Sequence, residues 1–365
     1  MACVNYYVID MDTLNNNPLV SILVSCYNVE QFIESFFINI AEQIYQNYEL
    51  IIVNDGSTDN TLNLLNHFSG KFNNIKIISH AHNMGLGAGR NTGLKNASGK
   101  YVYFCDVDDY IKPNLLQDCV AYMESGGYDF LVFGFDVKYP GSKINNETVR
   151  FKHMQLNSRK EIRDHYVDNL LLSRHGNGFV WNKFYRRTFI ENNRLRFGTQ
   201  KIQQDEVFNI KAILAASNLV LLPDTLYVYN IFTSGNNRSR YIPERFEIFI
   251  DIRNNFEFLL KKWDLKDERV EDFINRRFWG NIMNCLQYDL LHKDCRLTYK
   301  DKRHRFILIV NHPYSLMSRS FLKHHKNRID FRTKMYLMSL NCYEIFRAIN
   351  GLNTISTKLY TAIKK

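Results

Sequence analysis

Between Leu19 and Phe135 one pattern recurs: a short apolar run rich in β-branched residues, a polar turn, then a stretch with helical spacing. The runs are LVSILVS (19–25), YELIIVN (48–54), IKIIS (75–79), YVYFC (101–105) and YDFLVFGF (128–135). They alternate poorly between apolar and polar, as strands buried on both faces do. After the first run, Phe32, Ile33, Phe36, Phe37, Ile40 and Ile44 fall at three- and four-residue steps, which predicts an amphipathic helix with Asn28 as its N-cap. Alternating strand and helix predicts an α/β fold with a largely parallel sheet. Ligands of such sheets bind beyond the carboxyl ends of the strands. The segments there are CYN (26–28), NDGSTD (54–59), HAHNMGLGAGRN (80–91) and DVDDY (106–110), so Tyr27, Asp55 and the acids from Asp106 onward are expected on one rim.

The acids pose an electrostatic question. Asp106, Asp108 and Asp109 follow directly on five apolar residues, and like charges this close repel by several kcal/mol at intermediate dielectric. A positive partner is expected. Hard carboxylate oxygens suit Mg2+ or Mn2+, and two of them leave coordination positions for water and substrate phosphates. The other reading is a solvated loop or a helix cap ahead of KPNLLQDCV (112–120). In NDGSTD, Asp55 ends a strand and Gly56 permits a tight turn, while Ser57 and Asp59 can cap the helix carrying Leu62, Leu64 and Leu65. Gly85, Gly87 and Gly89 precede Arg90 as a glycine-rich phosphate loop, although the spacing does not match a dinucleotide fold. Arg90 either binds phosphate or holds one of the acids.

Charge divides the chain. Residues 1–244 hold 23 Lys and Arg against 24 Asp and Glu, whereas residues 245–365 hold 24 against 13. Within 291–365 the count is 16 against 4, which suggests contact with something anionic. The apolar and basic positions there recur at roughly helical steps, as on a helix lying at an anionic membrane surface or on the solvated face of an oligomerising bundle. No recognised nucleic-acid module accompanies the charge, so nucleic-acid binding is disfavoured. No apolar stretch approaches the roughly 20 residues of a membrane span, and the N-terminus lacks the features of a signal peptide, so a cytoplasmic address is expected. Seven cysteines without a CxxC pair indicate neither a disulfide framework nor a zinc site. The middle segment predicts a helix at 160–173, the stretch GFVWNKFYRRTFI (178–190), a polar loop ending in QQDEVFN (203–209), and short strands NLVLL and TLYVY.

PLVSILVSCYNVEQFI, YELIIVNDGSTDNT, NMGLGAGRNTGL and ASGKYVYFCDVDDY follow one another between Pro18 and Tyr110. In this order they resemble glycosyltransferase family 2, strongly over 18–136 and more loosely to about 240 through WNKFYRRTFI and QQDEVFN. The resemblance implies a GT-A fold with a mostly parallel, Rossmann-like sheet, followed by a helical C-terminal domain. Its implied divisions are an extension (1–17), a nucleotide-sugar half (18–136), an acceptor-side half (137–244) and a basic helical domain (245–365).

It also implies a metal-dependent inverting glycosyltransferase that moves sugar from a UDP-sugar donor to a glycan or lipid-linked glycan acceptor. The product would be a surface glycan of the capsule, lipooligosaccharide or teichoic acid type, made at the inner membrane face. Ser25 and Tyr27 match positions beside the base, Asp55 the acceptor from the base edge, and Arg90 an arginine near the nucleotide. Asp106 matches the acid close to ribose and metal, and Asp108 the acid that holds Mn2+ or Mg2+. Asp205 matches the base that deprotonates the acceptor, with Gln204 where the family usually has a first acid and Glu206 as a substitute. Trp181, Asn182 and Lys183 match an acceptor-side stretch, and Arg238 is a further candidate contact for the diphosphate. Two plain readings stand beside these: Asp205 as a helix cap and Trp181 as a core residue. A second functional class, a nucleotide-sugar-binding scaffold without turnover, is disfavoured by the presence of both metal acids and a base.

Overall fold

The computed structural model describes residues 17–173, 178–232, 240–323 and 342–348. The chain divides into two compact units, residues 1–235 and 236–365.

In the first unit the elements run β1 (Val20–Cys26), α1 (Glu30–Ala41), β2 (Tyr48–Asn54), α2 (Thr61–Ser69), β3 (Ile75–Ser79), α3 (Leu86–Asn96) and β4 (Tyr101–Cys105). They continue through β5 (Tyr110–Ile111), α4 (Leu115–Gly126), β6 (Phe130–Lys138), β7 (Glu147–Val149), β8 (Met154–Leu156) and α5 (Arg159–Tyr166). The last are β9 (Lys183–Arg186), α6 (Arg187–Asn192), α7 (Gln204–Ala215) and β10 (Leu219–Asn230). Their strands form one ten-stranded sheet with the main order β3-β2-β1-β4-β9-β6-β10-β5. The long ladders β3–β2–β1–β4 and β6–β10 are parallel, and β9 runs antiparallel between β4 and β6. Strands β1, β2 and β4 are buried on both faces, because helices cover the sheet as βαβ crossovers require, whereas the edge strand β3 is only half-buried. The sheet is continuous across the expected division at 136, since β6 straddles it.

Local chemistry departs from expectation at several points. Asn28 does not cap α1. Its φ is 52°, and its side chain is taken by Thr58, whose N–H donates to Oδ1 at 2.8 Å. Ile44 lies beyond the end of α1 and is 59% exposed. Asn60 holds the cap position of α2; Asp59, one residue before it, accepts from the Thr61 N–H at 3.0 Å, and Ser57 accepts from the Asn28 N–H instead. The expected helix at 160–173 is α5 followed by a π-helical turn, Val167–Leu171. NLVLL and TLYVY form the single strand β10, whose pairing with β6 shifts register between Leu221 and Tyr227.

The second unit contains α8 (Arg245–Trp263), α9 (Glu268–Cys285), α10 (Tyr299–Asn311) and α11 (Pro313–Lys323). Phe249, Ile252, Phe256 and Leu259 form the buried stripe of α8, and Val270, Ile274, Phe278 and Ile282 that of α9. Arg245 and Asp289 form a buried ion pair at 2.7 Å. No described helix is long and apolar enough to cross a membrane. The six described cysteines are all free.

Candidate active site

The parallel pairing of β1, β2 and β4 brings their carboxyl ends to one rim, which carries Ser25, Tyr27, Asp55 and Asp106. Tyr27 is 41% exposed and free to meet a planar ligand. Asp55 is buried. Its carboxylate accepts from the N–H groups of Met84 (3.0 Å) and Gly85 (2.7 Å) and lies 2.6 Å from Nδ1 of His80. The other nitrogen of His80 is 2.9 Å from the Thr92 hydroxyl. Asp55 therefore anchors the loop after β3 against the end of β2. Gly56, with φ 71°, is required there, because a Cβ would sit 2.6 Å from the carbonyl carbon of His82. His80 was not singled out from the sequence; the only signal was a histidine directly after a strand.

Of the glycines ahead of Arg90, Gly85 precedes α3 with φ 94°, and Gly87 and Gly89 lie in the helix rather than in a phosphate loop. On α3 they clear a path to the sheet: a Cβ on Gly89 would fall 1.9 Å from the Ser25 hydroxyl, and one on Gly87 would fall 2.4 Å from the Gly198 carbonyl. The close approach carries Arg90 to the strand ends. Its guanidinium, 3% exposed, donates from Nη2 to Asp106 at 3.0 Å and from Nη1 to Asp205, and it lies over the Phe197 ring at 5.3 Å. Burial opposes this charge, but Asp205 and Asp106 overcome it and hold the guanidinium above its ordinary range. Arg90 is the positive partner the acid cluster called for.

The three acids take separate roles. Asp109 is sequestered by β10, accepting from the Tyr227 hydroxyl and the Asn230 N–H, both at 2.7 Å. Burial, with Asp108 and Asp106 beside it, pushes its carboxyl well up. The side-chain amide of Asn230 also donates to the Asp108 carbonyl at 2.9 Å. This loop is therefore built into the sheet rather than solvated. The Asp108 carboxyl is pushed up to about 6, first by burial and then by Asp106. Among the described residues no three His, Cys, Asp or Glu side chains group as a metal site. Asp106 and Asp108 together nevertheless fit a divalent ion that completes its shell with water and phosphate, because both are hard donors and, while Arg90 offsets Asp106, the charge of Asp108 is not offset by an ion pair among the described residues.

Asp205 stands in the first turn of α7, but it is not the cap: Gln203 holds that place with φ 56°. The Asp205 carboxylate accepts from the Val180 N–H. Burial raises its pKa, Arg90 works against that, and Asp106 adds to it. Glu206 and Gln204 are buried, so Glu206 does not offer a solvent-facing substitute base. Trp181 presents no platform to a sugar. It is 1% exposed and packs against Phe179 and Tyr227 at 4.5 Å and Phe135 at 4.7 Å. Asn182 and Lys183 are buried too, so the acceptor-side role expected for these three gives way to support of the site from within. Arg238 lies outside the described residues, as does most of the extension 1–17. The basic stretch 291–365 is described only at 291–323 and 342–348.

Comparison with known proteins follows the same lines. A family model described as Glycosyl transferase family 2 matches residues 21–200. The chain is 30% identical over 262 residues to the putative glycosyltransferase EpsH of Bacillus subtilis, covering 70% of this chain and 73% of EpsH. It is 30% identical over 267 residues to the poly(ribitol-phosphate) beta-N-acetylglucosaminyltransferase TarS of Staphylococcus aureus, covering 71% of this chain but 44% of TarS. The crystal structure of S. aureus TarS 1-349 in complex with UDP shares the fold, with TM-score 0.60, 21% identity, and 92% of this chain and 91% of that one covered. The mannosyltransferase PcManGT from Pyrobaculum calidifontis, in complex with GDP-Man and Mn2+, shares it at TM-score 0.51 and 15% identity, over 84% of this chain and 86% of that one.

Proposed function

The chain belongs to glycosyl transferase family 2, and on that premise we propose a metal-dependent inverting transfer from a UDP-sugar to a hydroxyl of a growing surface glycan. That it is a glycosyltransferase with a GT-A fold follows from the family and the shared fold. A nucleotide-sugar donor is supported by the neighbour in complex with UDP, and a wall-polymer acceptor by the name of TarS. The basic surplus of 291–365 supports attachment of this region to an anionic membrane surface at the inner face.

The observation that carries the reading is the Arg90 bridge between Asp106 and Asp205. It supports a division of labour in which Asp106 serves the donor and Asp205 the acceptor, with one guanidinium fixing the distance between them. Tyr27 and Ser25 receive the uracil and Asp55 reads its edge. Asp106 and Asp108 would hold Mn2+ or Mg2+, which would supply charge stabilisation at the diphosphate. Asp205 accepts the proton of the acceptor hydroxyl. The freed oxygen bonds the anomeric carbon as the bond from that carbon to the diphosphate breaks, so the configuration inverts and UDP departs.

The test is a donor screen with Mn2+ across UDP-sugars, followed by transfer assays. Asp205→Asn should lower kcat by about 100-fold or more while donor affinity stays near that of the parent. Asp108→Ala should weaken metal-dependent donor binding. Full activity of Asp205→Asn would refute the assignment of the base, and full activity in chelator would refute the metal.

A further inference from the structure

Behind Asp205, residues 179–183 form a tight turn organised around one amine. Lys183, the first residue of β9, is 3% exposed. Its Nζ donates to the Phe179 carbonyl and, at 2.9 Å, to Oδ1 of Asn182. The Lys183 N–H closes the turn on the Val180 carbonyl at 3.1 Å. The N–H of the same Val180 donates to the Asp205 carboxylate. Asn209, one helical turn after Asp205 on α7, gives Phe179 a second donor at 2.9 Å and accepts from the Tyr185 hydroxyl at 3.2 Å.

An amine is a costly choice for this position. Burial lowers its pKa from the ordinary 10.5 to about 7, with Asp205 opposing, and an apolar side chain of similar length would carry no such cost. What the amine alone supplies is two hydrogen bonds that bend residues 179–183 back on themselves. We infer that Lys183 is a positioning residue for sugar transfer: it holds the 179–183 turn so that the Val180 amide fixes the Asp205 carboxylate toward the acceptor. The inference rests on Asp205 being the base. The charged and titratable groups around that carboxylate are Arg90 from α3, Asp106 after β4, and Lys183 and Tyr185 from β9.

The experiment compares Lys183→Met, Asn209→Leu and Asp205→Asn in transfer kinetics and pH–rate profiles, with thermal melting as the check on folding. Lys183→Met should lower kcat by about 10- to 100-fold, the scale of a misplaced reacting group. Donor KM should be unchanged. The acid limb of the profile should move to higher pH, because a poorly held Val180 amide favours the ionised carboxylate less. Asn209→Leu, which removes the other donor to Phe179, should act in the same direction and more weakly. It decides the matter if Lys183→Met fails to fold. Parental kcat and acid limb in a folded Lys183→Met, or a loss confined to donor KM, would overturn the positioning role while an inactive Asp205→Asn still upheld the base. An active Asp205→Asn would overturn both.

Discussion

Arg90 and Asp205 lie 115 residues apart in the chain and meet as an ion pair at the rim of the sheet, with the second nitrogen of the same guanidinium 3.0 Å from Asp106. A cation brought in by α3 thus connects the acid at the end of β4 with the acid opening α7. The three groups act as one unit, since removal of the guanidinium leaves two carboxylates facing each other at low dielectric.

Arg90→Gln should therefore destabilise the fold by about 3–5 kcal/mol, the usual cost of breaking a buried pair from one side. Arg90→Lys keeps the charge but not the two-armed geometry and should recover part of the stability with little of the activity. Urea denaturation and transfer rates measured on the same preparations check both.

Asp108 should separate stability from function. Its carboxyl is pushed up to about 6 by burial and by Asp106. Asp108→Asn removes a charge that lacks a compensating partner, and should raise stability by about 1 kcal/mol or more at neutral pH. The same change should abolish the additional thermal stabilisation given by Mn2+ with UDP. Melting curves with and without that pair read both effects.

Gly89→Ala tests whether the helix must touch the strand. The new methyl group would fall 1.9 Å from the Ser25 hydroxyl, so α3 must shift outward and take Arg90 with it. Overpacking of this kind costs about 1–3 kcal/mol. Donor affinity should fall as well, because Ser25 and Arg90 move together. Isothermal titration with UDP and Mn2+ would check this, and unchanged affinity would contradict it.

Lys183 should give stability a recognisable dependence on pH. The folded chain releases the proton near pH 7, whereas the unfolded chain holds it to about 10.4. Between those values the unfolded state binds more protons, so stability from this group rises with pH and its full cost is present below 7. Lys183→Met should be more stable than the parent at pH 6, with the difference shrinking toward pH 10. Urea midpoints for the two proteins across that range would show the convergence.

Much of this protein is legible along the chain. Runs such as YELIIVN and YVYFC are short, β-branched and apolar on both faces, and alternating them with helices left little choice but a parallel sheet whose rim carries Tyr27, Asp55 and Asp106. Those signals depend on neighbours within a few residues, so sequence alone determined them. The fate of polar and aromatic side chains depended instead on which element arrives beside them. Insertion of β9 antiparallel between β4 and β6 buried Lys183, and the packing of Trp181 against Phe179, Phe135 and Tyr227 enclosed its ring; α3 lying close on β1 brought Arg90 to Asp106 and Asp205; and β10 supplied the Tyr227 hydroxyl that takes Asp109 out of the acid cluster. Tertiary structure decided these because the energy of a buried charge or ring is set by the partners within a few ångströms of it, and here those partners come from distant parts of the chain.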